Sequence, residues 1–359
     1  MMIITFCGMI AGCDRSKESA VNDNTNENGN PWGLVYGDAI TENKFGEVNI
    51  HPITYQVNGI SVAANLYTPA GWDKSSVRKY PAVTVAHPNG GCKEQVAGLY
   101  AQRLAELGYI TIAADARYQG ESGGTPRLRD YPENRIEDIS GMADYLIGMT
   151  SVDPARIGSL GICGGGGYTL AAAQQDKRLR AVAVLSMFNS GRVRRNGYQD
   201  KDIAGIQGRL ERAAAAHTKE LSGDVQYEGF LPPGATDEEL RTQMEKLPPN
   251  TLYRDGIEYY GLSHRHKNAT GSYTTESFMK LMAFDVEDRM DLLTQPLLMM
   301  AGSEADSKYM TDDAFAKAVN AKQKELFVIE GASHIRTYWV PEYVGQIVGK
   351  MKEFFGENL

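Results

Sequence analysis

Near its start, the folded part of the chain shows a simple alternation of hydrophobic and polar positions. Apolar and polar residues alternate over 48–57 and again over 60–67, and Asn58-Gly59 joins the two runs. A period of two is typical of half-buried strands, and an Asn-Gly pair between two such runs favours a tight turn. The sequence therefore predicts an antiparallel hairpin here.

Short, almost continuous apolar runs then alternate with stretches of helical spacing. The apolar runs predict strands at 81–86, 109–114, 156–160, 181–185, 296–301 and 325–329. The helical spacing predicts helices at 94–107, 135–149, 164–175, 311–320 and 341–355. Continuous apolar strands interleaved with helices are typical of a parallel sheet covered on both faces. We therefore predict an α/β core built from residues 46–190 and 291–359.

This alternation stops between residues 191 and 290. Helical pieces are predicted there at 203–221, 237–247 and 275–284, separated by loops rich in Pro, Gly and Tyr. No strand run of comparable strength interrupts them, and we find no internal repeat. We interpret 191–290 as an inserted helical cap over one edge of the sheet.

The first residues have a different character. Residues 3–12 are uncharged and mostly apolar, and they end in an aliphatic residue, two small residues and Cys13. A membrane-spanning helix needs roughly 20 apolar residues, so this run matches the core of a secretory signal instead. Its end resembles the bacterial lipoprotein signal, in which the cysteine thiol carries the lipid. We expect a signal peptide over 1–12 and lipid attachment at Cys13; an ordinary cleaved signal is the alternative.

A polar segment follows Cys13. Residues 14–31 are rich in Asn, Ser, Asp and Glu, a composition that buries too little apolar surface to fold. We therefore expect a flexible tether over 13–45. The predicted location is outside a bacterial cell membrane, on the periplasmic or cell-surface side, with the lipid as the only contact with the membrane.

Composition narrows the functional classes. The 359 residues include 37 Lys and Arg against 45 Asp and Glu, a formal net charge of −8, and 42% are hydrophobic. This balance excludes a largely disordered chain, and the missing basic excess argues against nucleic acid as a partner. The four cysteines are too few for a disulfide framework in a chain of this length.

The sharpest motif surrounds Cys163. Gly161-Ile162-Cys163-Gly164-Gly165 lies between a predicted strand and a predicted helix and has the form Gly-x-nucleophile-x-Gly. Such a turn crowds the backbone, so small residues must flank the nucleophile. The following helix points its N-terminus at the thiol and favours a thiolate. A buried structural cysteine is the alternative interpretation, while the stretch lacks the Lys-Ser/Thr of a phosphate-binding loop.

Two later loops supply candidates for a base and an acid. His334 follows the last predicted strand, and Asp306 follows the strand before it, with Glu304 and Asp312 as rival acids. The order nucleophile, acid, base is that of an α/β-hydrolase triad, in which the acid orients the imidazole. We predict a Cys163–Asp306–His334 triad.

A glycine-rich turn follows the strand at 81–86. In His87-Pro88-Asn89-Gly90-Gly91 a backbone N–H can be aimed at a developing oxyanion. We predict the N–H groups of Asn89 and Gly164 as the oxyanion hole, with Gly90 as the second choice in the turn. A simple tight turn is the alternative.

Five stretches in the same chain order resemble the α/β-hydrolase superfamily, specifically its dienelactone-hydrolase-like branch. They are HPNGG at 87–91, DARYQGESGG at 115–124, DPARIGSLGICGGGG at 153–167, AGSEAD at 301–306 and EGASH at 330–334. The resemblance implies an eight-stranded, mostly parallel sheet and acyl-enzyme chemistry with a cysteine nucleophile. In those enzymes a glutamate near the oxyanion turn assists the cysteine, and Glu94 lies near the corresponding turn here. The insertion at 191–290 departs from the small members of that branch.

For two other polar clusters the sequence favours solvent-exposed positions without a catalytic or binding role. His264 and His266 lie two residues apart without a carboxylate or cysteine at ligand spacing, so we expect a solvated loop and no metal. Arg192, Arg194 and Arg195 are more typical of a solvated charge cluster than of a site for an anionic substrate. Tyr253, Tyr259 and Tyr260 line an acyl pocket or simply pack in the interior.

The sequence therefore predicts a hydrolase of ester, lactone or related acyl bonds that needs no cofactor and acts on a small-molecule acyl substrate. An acyltransferase with the same acyl-enzyme is the first alternative, and a lipid-anchored, non-catalytic binding protein on a hydrolase fold is the second. Cys92 follows the oxyanion turn, so a Cys92–Cys163 disulfide that silences the enzyme is a further possibility.

Overall fold

An eight-stranded sheet forms the centre of the protein in the computed structural model, with the strand order β1-β2-β4-β3-β5-β6-β9-β10. Strand β2 pairs antiparallel with both β1 and β4, and the other neighbouring strands pair parallel. The ten strands are β1 Asn49–Val57, β2 Ile60–Thr68, β3 Tyr80–Ala86, β4 Ile110–Ala114, β5 Val152–Ile162, β6 Leu179–Leu185, β7 Tyr227–Gly229, β8 Ser272–Thr274, β9 Leu297–Gly302 and β10 Lys324–Ile329. The predicted eight-stranded, mostly parallel sheet is confirmed.

In the part of the chain that the structure describes, ten α-helices accompany the sheet. They are α1 Val96–Glu106, α2 Pro132–Ile147, α3 Gly164–Gln175, α4 Ser190–Asn196, α5 Ile206–Glu220, α6 Asp237–Glu245, α7 Leu252–Glu258, α8 Phe278–Leu281, α9 Lys308–Lys317 and α10 Pro341–Asn358. Helices α1 and α10 contact each other over one face of the sheet, and α2 and α3 contact each other over the opposite face. The sheet is therefore covered on both sides, which is why its inner strands β3, β4 and β9 are buried along almost their whole length.

The structure describes residues 29–75, 77–232 and 234–359. The predicted signal peptide over 1–12 and the lipid attachment at Cys13 lie outside these ranges. Within them, no helix has the length and apolar character needed to cross a membrane.

The C-terminal part of the predicted tether packs on the core. Leu34 and Tyr36 are buried, and the Tyr36 hydroxyl lies 3.1 Å from both the Tyr67 hydroxyl and Oε1 of Gln102. The Ile40 N–H donates to the same Gln102 oxygen. The few apolar residues after position 31 thus find partners on β2 and α1, and the expectation of a tether reaching residue 45 is corrected.

Residues 191–290 contain more structure than the sequence predicts. The helices expected at 203–221 and 237–247 are present as α5 and α6, whereas α7 and the short antiparallel pair β7–β8 are not predicted. Three-residue strands and a seven-residue helix are too short to produce a period in the sequence. The segment expected as one helix at 275–284 is a 3-10 turn, Thr275–Ser277, followed by α8.

Candidate active site

Cys163 sits in a sharp turn between β5 and α3. Its φ is +55°, a left-handed conformation that is costly for a residue with a side chain. A Cβ at Gly161 would lie 2.5 Å from the Gly165 carbonyl oxygen, and one at Gly165 would lie 2.5 Å from that of Ala86. The flanking glycines are therefore required by close backbone approach, as the sequence motif indicates.

Two backbone N–H groups converge on the Cys163 sulfur. Burial raises the pKa of the thiol, and the N–H groups of Gly164 and Asn89 are hydrogen-bonded to the sulfur and lower that pKa, as does the charge of Arg194. The Asn89 side chain packs on Gly164, where a Cβ would lie 2.1 Å from Oδ1, and its Nδ2 donates to Ser190 Oγ at 2.8 Å. The sequence predictions Gly164 and Asn89 are thus brought together beside the thiol.

His334 is buried in the loop after β10, at the start of the 3-10 turn Ile335–Tyr338. Its Nδ1 lies 2.5 Å from Ser307 Oγ, and its Nε2 lies 3.0 Å from the Tyr338 hydroxyl. Burial lowers the pKa of His334 to about 3, so the imidazole is neutral at physiological pH.

The Tyr338 hydroxyl also contacts the Cys163 sulfur, and this hydrogen bond is among the effects that lower the pKa of the thiol. A continuous chain of polar groups therefore runs from Cys163 through Tyr338 and His334 to Ser307. Neither Tyr338 nor Ser307 is predicted from the sequence. The sequence signal that could have found them is their position in the chain. Tyr338 lies four residues after His334, about one helical turn, and Ser307 is the residue after Asp306 in the loop that follows β9.

Asp306 has other partners than the histidine. Its carboxylate accepts from the Leu252 N–H at 3.1 Å, and burial raises its pKa. Leu252 is the first residue of α7, and the free N–H groups of a helix N-terminus favour an anion. Among the described residues, Ser307 occupies the place beside Nδ1 of His334 that the sequence assigns to Asp306.

The rival acids are also engaged elsewhere. Glu304 accepts from Asn250 Nδ2 at 3.2 Å at the surface, and Asp312 pairs with Lys308 at 2.7 Å. The structure therefore corrects the expected acid–histidine contact for all three carboxylates.

A pocket with a cavity volume of about 60 Å³ opens above Cys163. Its walls are largely aromatic, and the insertion contributes several of them. The aromatic lining residues are Phe188, Phe230, Tyr253, Tyr260 and Tyr338. Arg194 also lines this pocket, which corrects its interpretation as one member of a solvated cluster.

A second polar cluster lies around Cys92. Cys92 Sγ is 3.5 Å from Nδ1 of His266, and Oε2 of Glu94 is 3.8 Å from the same nitrogen. His266 is buried, so the solvated loop expected there is wrong for this residue. The same Nδ1 accepts the Asn268 N–H at 3.1 Å, and Glu94 Oε1 pairs with Lys93 Nζ at 2.5 Å. One ligand atom from each of Cys92, Glu94 and His266 lies within 4.8 Å of the others, a spacing that could hold a metal ion, and Glu94 Oε2 is buried without a hydrogen-bond partner among the described residues. The structure thus places beside His266 a carboxylate and a cysteine that the sequence spacing does not show.

Both described cysteines are free thiols, which removes the Cys92–Cys163 disulfide from this structure. Burial raises the pKa of Glu94 to about 7, with the Asp115 carboxylate acting in the same direction. The contacts of Glu94 are therefore with the cluster around Cys92.

The strand order and the strand–turn–helix at Cys163 define an α/β-hydrolase. A sequence profile of the X-Pro dipeptidyl-peptidase (S15) family matches residues 58–226. The uncharacterized protein YcjY of Escherichia coli is 39% identical over 304 residues, which cover 84% of this chain and 95% of YcjY. The uncharacterized protein PA2218 of Pseudomonas aeruginosa is 32% identical over 344 residues, 92% of this chain and 86% of PA2218.

The chain belongs to the α/β-hydrolase family that contains YcjY and PA2218, and it is an enzyme of the hydrolase and acyltransferase type. The crystal structure of PA2218 superposes with a TM-score of 0.76 at 31% identity, covering 87% of this chain and 94% of the other. The α/β-hydrolase GrgF from Penicillium, described as a polyketide transferase, has a TM-score of 0.68 at 19% identity over 86% of this chain and 99% of its own.

Proposed function

We propose that this enzyme hydrolyses ester, lactone or thioester bonds through a thioester on Cys163. The observation that carries the proposal is the convergence of five groups around Cys163: the thiol at a positive-φ turn, two backbone N–H donors at its sulfur, Tyr338 and the neutral His334. A cysteine at the nucleophile turn is also what the resemblance to dienelactone hydrolases implies.

The first step is activation of the thiol. The Cys163 S–H gives its proton to the Tyr338 oxygen while the Tyr338 O–H gives its own proton to Nε2 of His334. The result is a thiolate, an unchanged tyrosine and an imidazolium whose Nδ1–H donates to Ser307 Oγ. Burial keeps the pKa of Tyr338 well above its usual range, so the phenol passes a proton on without resting as a phenolate.

The thiolate then attacks the substrate carbonyl carbon. The carbonyl oxygen becomes an oxyanion, and the N–H groups of Gly164 and Asn89 donate to it. Removing one such donor typically costs about 10²–10³ in turnover. When the C–O or C–S bond to the leaving group breaks, that group takes the proton from His334 through Tyr338, and the acyl group remains on Cys163.

Water completes the cycle. It loses a proton along the same path to His334, its oxygen attacks the thioester carbonyl, and the C–S bond breaks. The carboxylic acid departs, and the proton returns from His334 through Tyr338 to the sulfur. In this scheme Ser307 orients the imidazole and Asp306 holds the N-terminus of α7, which forms part of the pocket wall.

Trapping the acyl-enzyme tests the proposal. The soluble body from residue 29 onward is mixed with 4-nitrophenyl acetate, quenched in acid, and analysed by intact mass and peptide mapping. We expect one added acetyl group on Cys163 in the wild type and in Cys92→Ala, and none in Cys163→Ala. Turnover without an acyl group on Cys163, or with the acyl group on another residue, would overturn the assignment.

Acyl transfer to an organic acceptor is the second candidate. It is favoured by the aromatic pocket, which suits a carbon-rich acceptor, and by the description of GrgF as a transferase. Product analysis with and without added alcohols and amines separates the two: ester or amide products at the expense of acid indicate transfer.

For the N-terminus we propose export and lipid attachment at Cys13. The support is the sequence alone: the apolar run at 3–12, its small residues and the polar segment after it. Metabolic labelling with a palmitate analogue in a bacterial host tests it; a label that persists in Cys13→Ser would contradict it.

A further inference from the structure

Arg194 differs from the two other arginines of helix α4. Arg192 pairs with Asp200 at 2.6 Å, and Arg195 pairs with Asp285 at 2.7 Å. Among the described residues, no carboxylate lies within ion-pair distance of Arg194, and its buried Nε has no hydrogen-bond partner. Its guanidinium instead lies 4.7 Å from the ring centre of Tyr273.

Two carboxylates, Asp130 and Glu228, act on Arg194 from beyond ion-pair distance, and each has another arginine nearer to it. Asp130 lies 3.7 Å from Arg135, and Glu228 lies 3.7 Å from Arg212. Burial raises the pKa of both acids, which weakens them as counter-charges. The positive charge of Arg194 is therefore under-compensated by its own protein.

A positive charge with too little nearby negative charge destabilises the folded protein, and a bound anionic ligand would offset that cost. Removing a cation from water without a partner is expensive, and aromatic rings replace only a part of the lost hydration. Arg194 lines the same pocket as Cys163, with Tyr253 and Tyr260 on that pocket's wall. A guanidinium placed in this way has the fork geometry that receives a carboxylate through two hydrogen bonds.

We infer that Arg194 binds a carboxylate of the acyl substrate, so that the preferred substrates are esters or thioesters of dicarboxylic acids. The reacting carbonyl lies at Cys163, the free carboxylate at Arg194, and an apolar spacer lies against the tyrosines between them. A single guanidinium matches a single negative charge, which favours a carboxylate over a phosphate dianion. This inference names the substrate class of the proposed hydrolase and rests on that proposal.

The test compares two esters of similar acyl length, one ending in a carboxylate and one in an apolar ethyl group: the mono-4-nitrophenyl ester of glutaric acid and 4-nitrophenyl hexanoate. After subtraction of the uncatalysed rates, we expect wild-type kcat/KM to be about 10- to 100-fold higher for the anion, as a charged hydrogen bond allows. Arg194→Met should remove this preference, measured as the ratio of the two kcat/KM values; the rate with the neutral ester is not the readout, because the Arg194 charge also acts on the Cys163 thiol. Arg194→Lys should keep part of the preference, because the charge remains without the fork.

Arg195→Met is the matched control, because it removes an arginine of the same helix that is already paired and should keep the preference. A structural role for Arg194 predicts a different outcome: a lower thermal midpoint and equal losses with both esters. We expect Arg194→Met to leave the midpoint unchanged or higher, because it removes an unpaired charge. An unaltered anion preference in Arg194→Met would overturn the inference.

Failure of the proposed hydrolysis is recognised separately, since wild type would then turn over neither ester. Binding of monoethyl glutarate, measured by calorimetry, still decides the role of Arg194 in that case. Binding that is lost in Arg194→Met and kept in Arg195→Met supports the carboxylate site, and equal binding to wild type and Arg194→Met refutes it.

Discussion

The two described cysteines of this protein are both buried thiols, yet their surroundings have opposite electrostatics. Cys163 is 8% exposed and Cys92 is completely buried, and burial raises the pKa of both. Around Cys163, the Tyr338 hydroxyl, two backbone N–H groups and Arg194 all favour the thiolate. Around Cys92, the Glu94 and Asp115 carboxylates raise the pKa further.

This difference shows that two buried thiols of one protein can lie in opposite electrostatic surroundings. At Cys163 the fold places the backbone N–H groups of Gly164 and Asn89, which belong to two different segments, at the sulfur. At Cys92 the same sheet edge supplies acids and their counter-ion Lys93. The following experiments are ordered from the largest expected effect to the smallest.

The strongest test removes each sulfur in turn. We expect Cys163→Ala to lower kcat/KM for short 4-nitrophenyl esters by at least about 10³-fold, because nucleophile loss removes the covalent route. Cys92→Ala should stay within about threefold of wild type. Thermal unfolding followed by circular dichroism checks that both variants are folded, and equal losses in the two variants would erase the contrast.

The next test breaks the proton path while leaving the sulfur in place. Tyr338→Phe removes only the hydroxyl between Cys163 and His334, and we expect kcat to fall by about 10²-fold, the usual contribution of a positioned proton-transfer group. Stopped-flow kinetics of acylation and the thermal midpoint are the measurements. A wild-type acylation rate in this variant would show that His334 reaches the thiol without Tyr338.

A smaller effect is expected at the far side of the histidine. Ser307→Ala removes the oxygen at Nδ1 of His334, and we expect kcat to fall by about tenfold through loss of orientation. Asp306→Asn removes the charge at the N-terminus of α7, a contribution of typically about 0.3–1 kcal/mol, and should affect stability more than kcat. The reverse pattern, with a large kcat loss only in Asp306→Asn, would restore the acid predicted from the sequence.

The smallest effect concerns pH. Because burial lowers the pKa of His334 to about 3, the base remains deprotonated throughout the range from pH 5 to 8. Protonation of the base removes activity only as the pH falls toward that value, so kcat/KM should show no inflection near 6.5 and vary less than about twofold between pH 5.5 and 7.5. A rate profile in constant-ionic-strength buffers measures this, and an acid limb near 6.5 would show that His334 is solvated in the working enzyme.

Much of the candidate site can be predicted from the sequence because it depends on local backbone geometry. The glycines around Cys163 are required by contacts with neighbouring strands, and the turn after β3 places Asn89 beside Gly164. The carboxyl ends of parallel strands meet at one edge of the sheet, so residues after β3, β5, β9 and β10 could be expected to gather there.

The sequence predictions that are wrong concern side chains whose contact partners lie far away in the chain. Asp306 accepts from the Leu252 N–H, 54 residues away. His266 is buried beside Cys92, and Arg194 lines the pocket over Cys163. Such contacts depend on how segments without a regular period pack, which no local pattern predicts.

The sequence by itself determined the alternation of strands and helices, the turn that presents Cys163 and the N–H donors beside it, because hydrophobic period and glycine positions are local properties. Only the tertiary structure decided that Tyr338 links the thiol to His334, that Ser307 lies where Asp306 was expected, and that Arg194 lines the pocket with no carboxylate of the described residues at ion-pair distance. These outcomes depend on the packing of loops from distant parts of the chain, where the energies of competing hydrogen bonds and of buried charge decide the pairing.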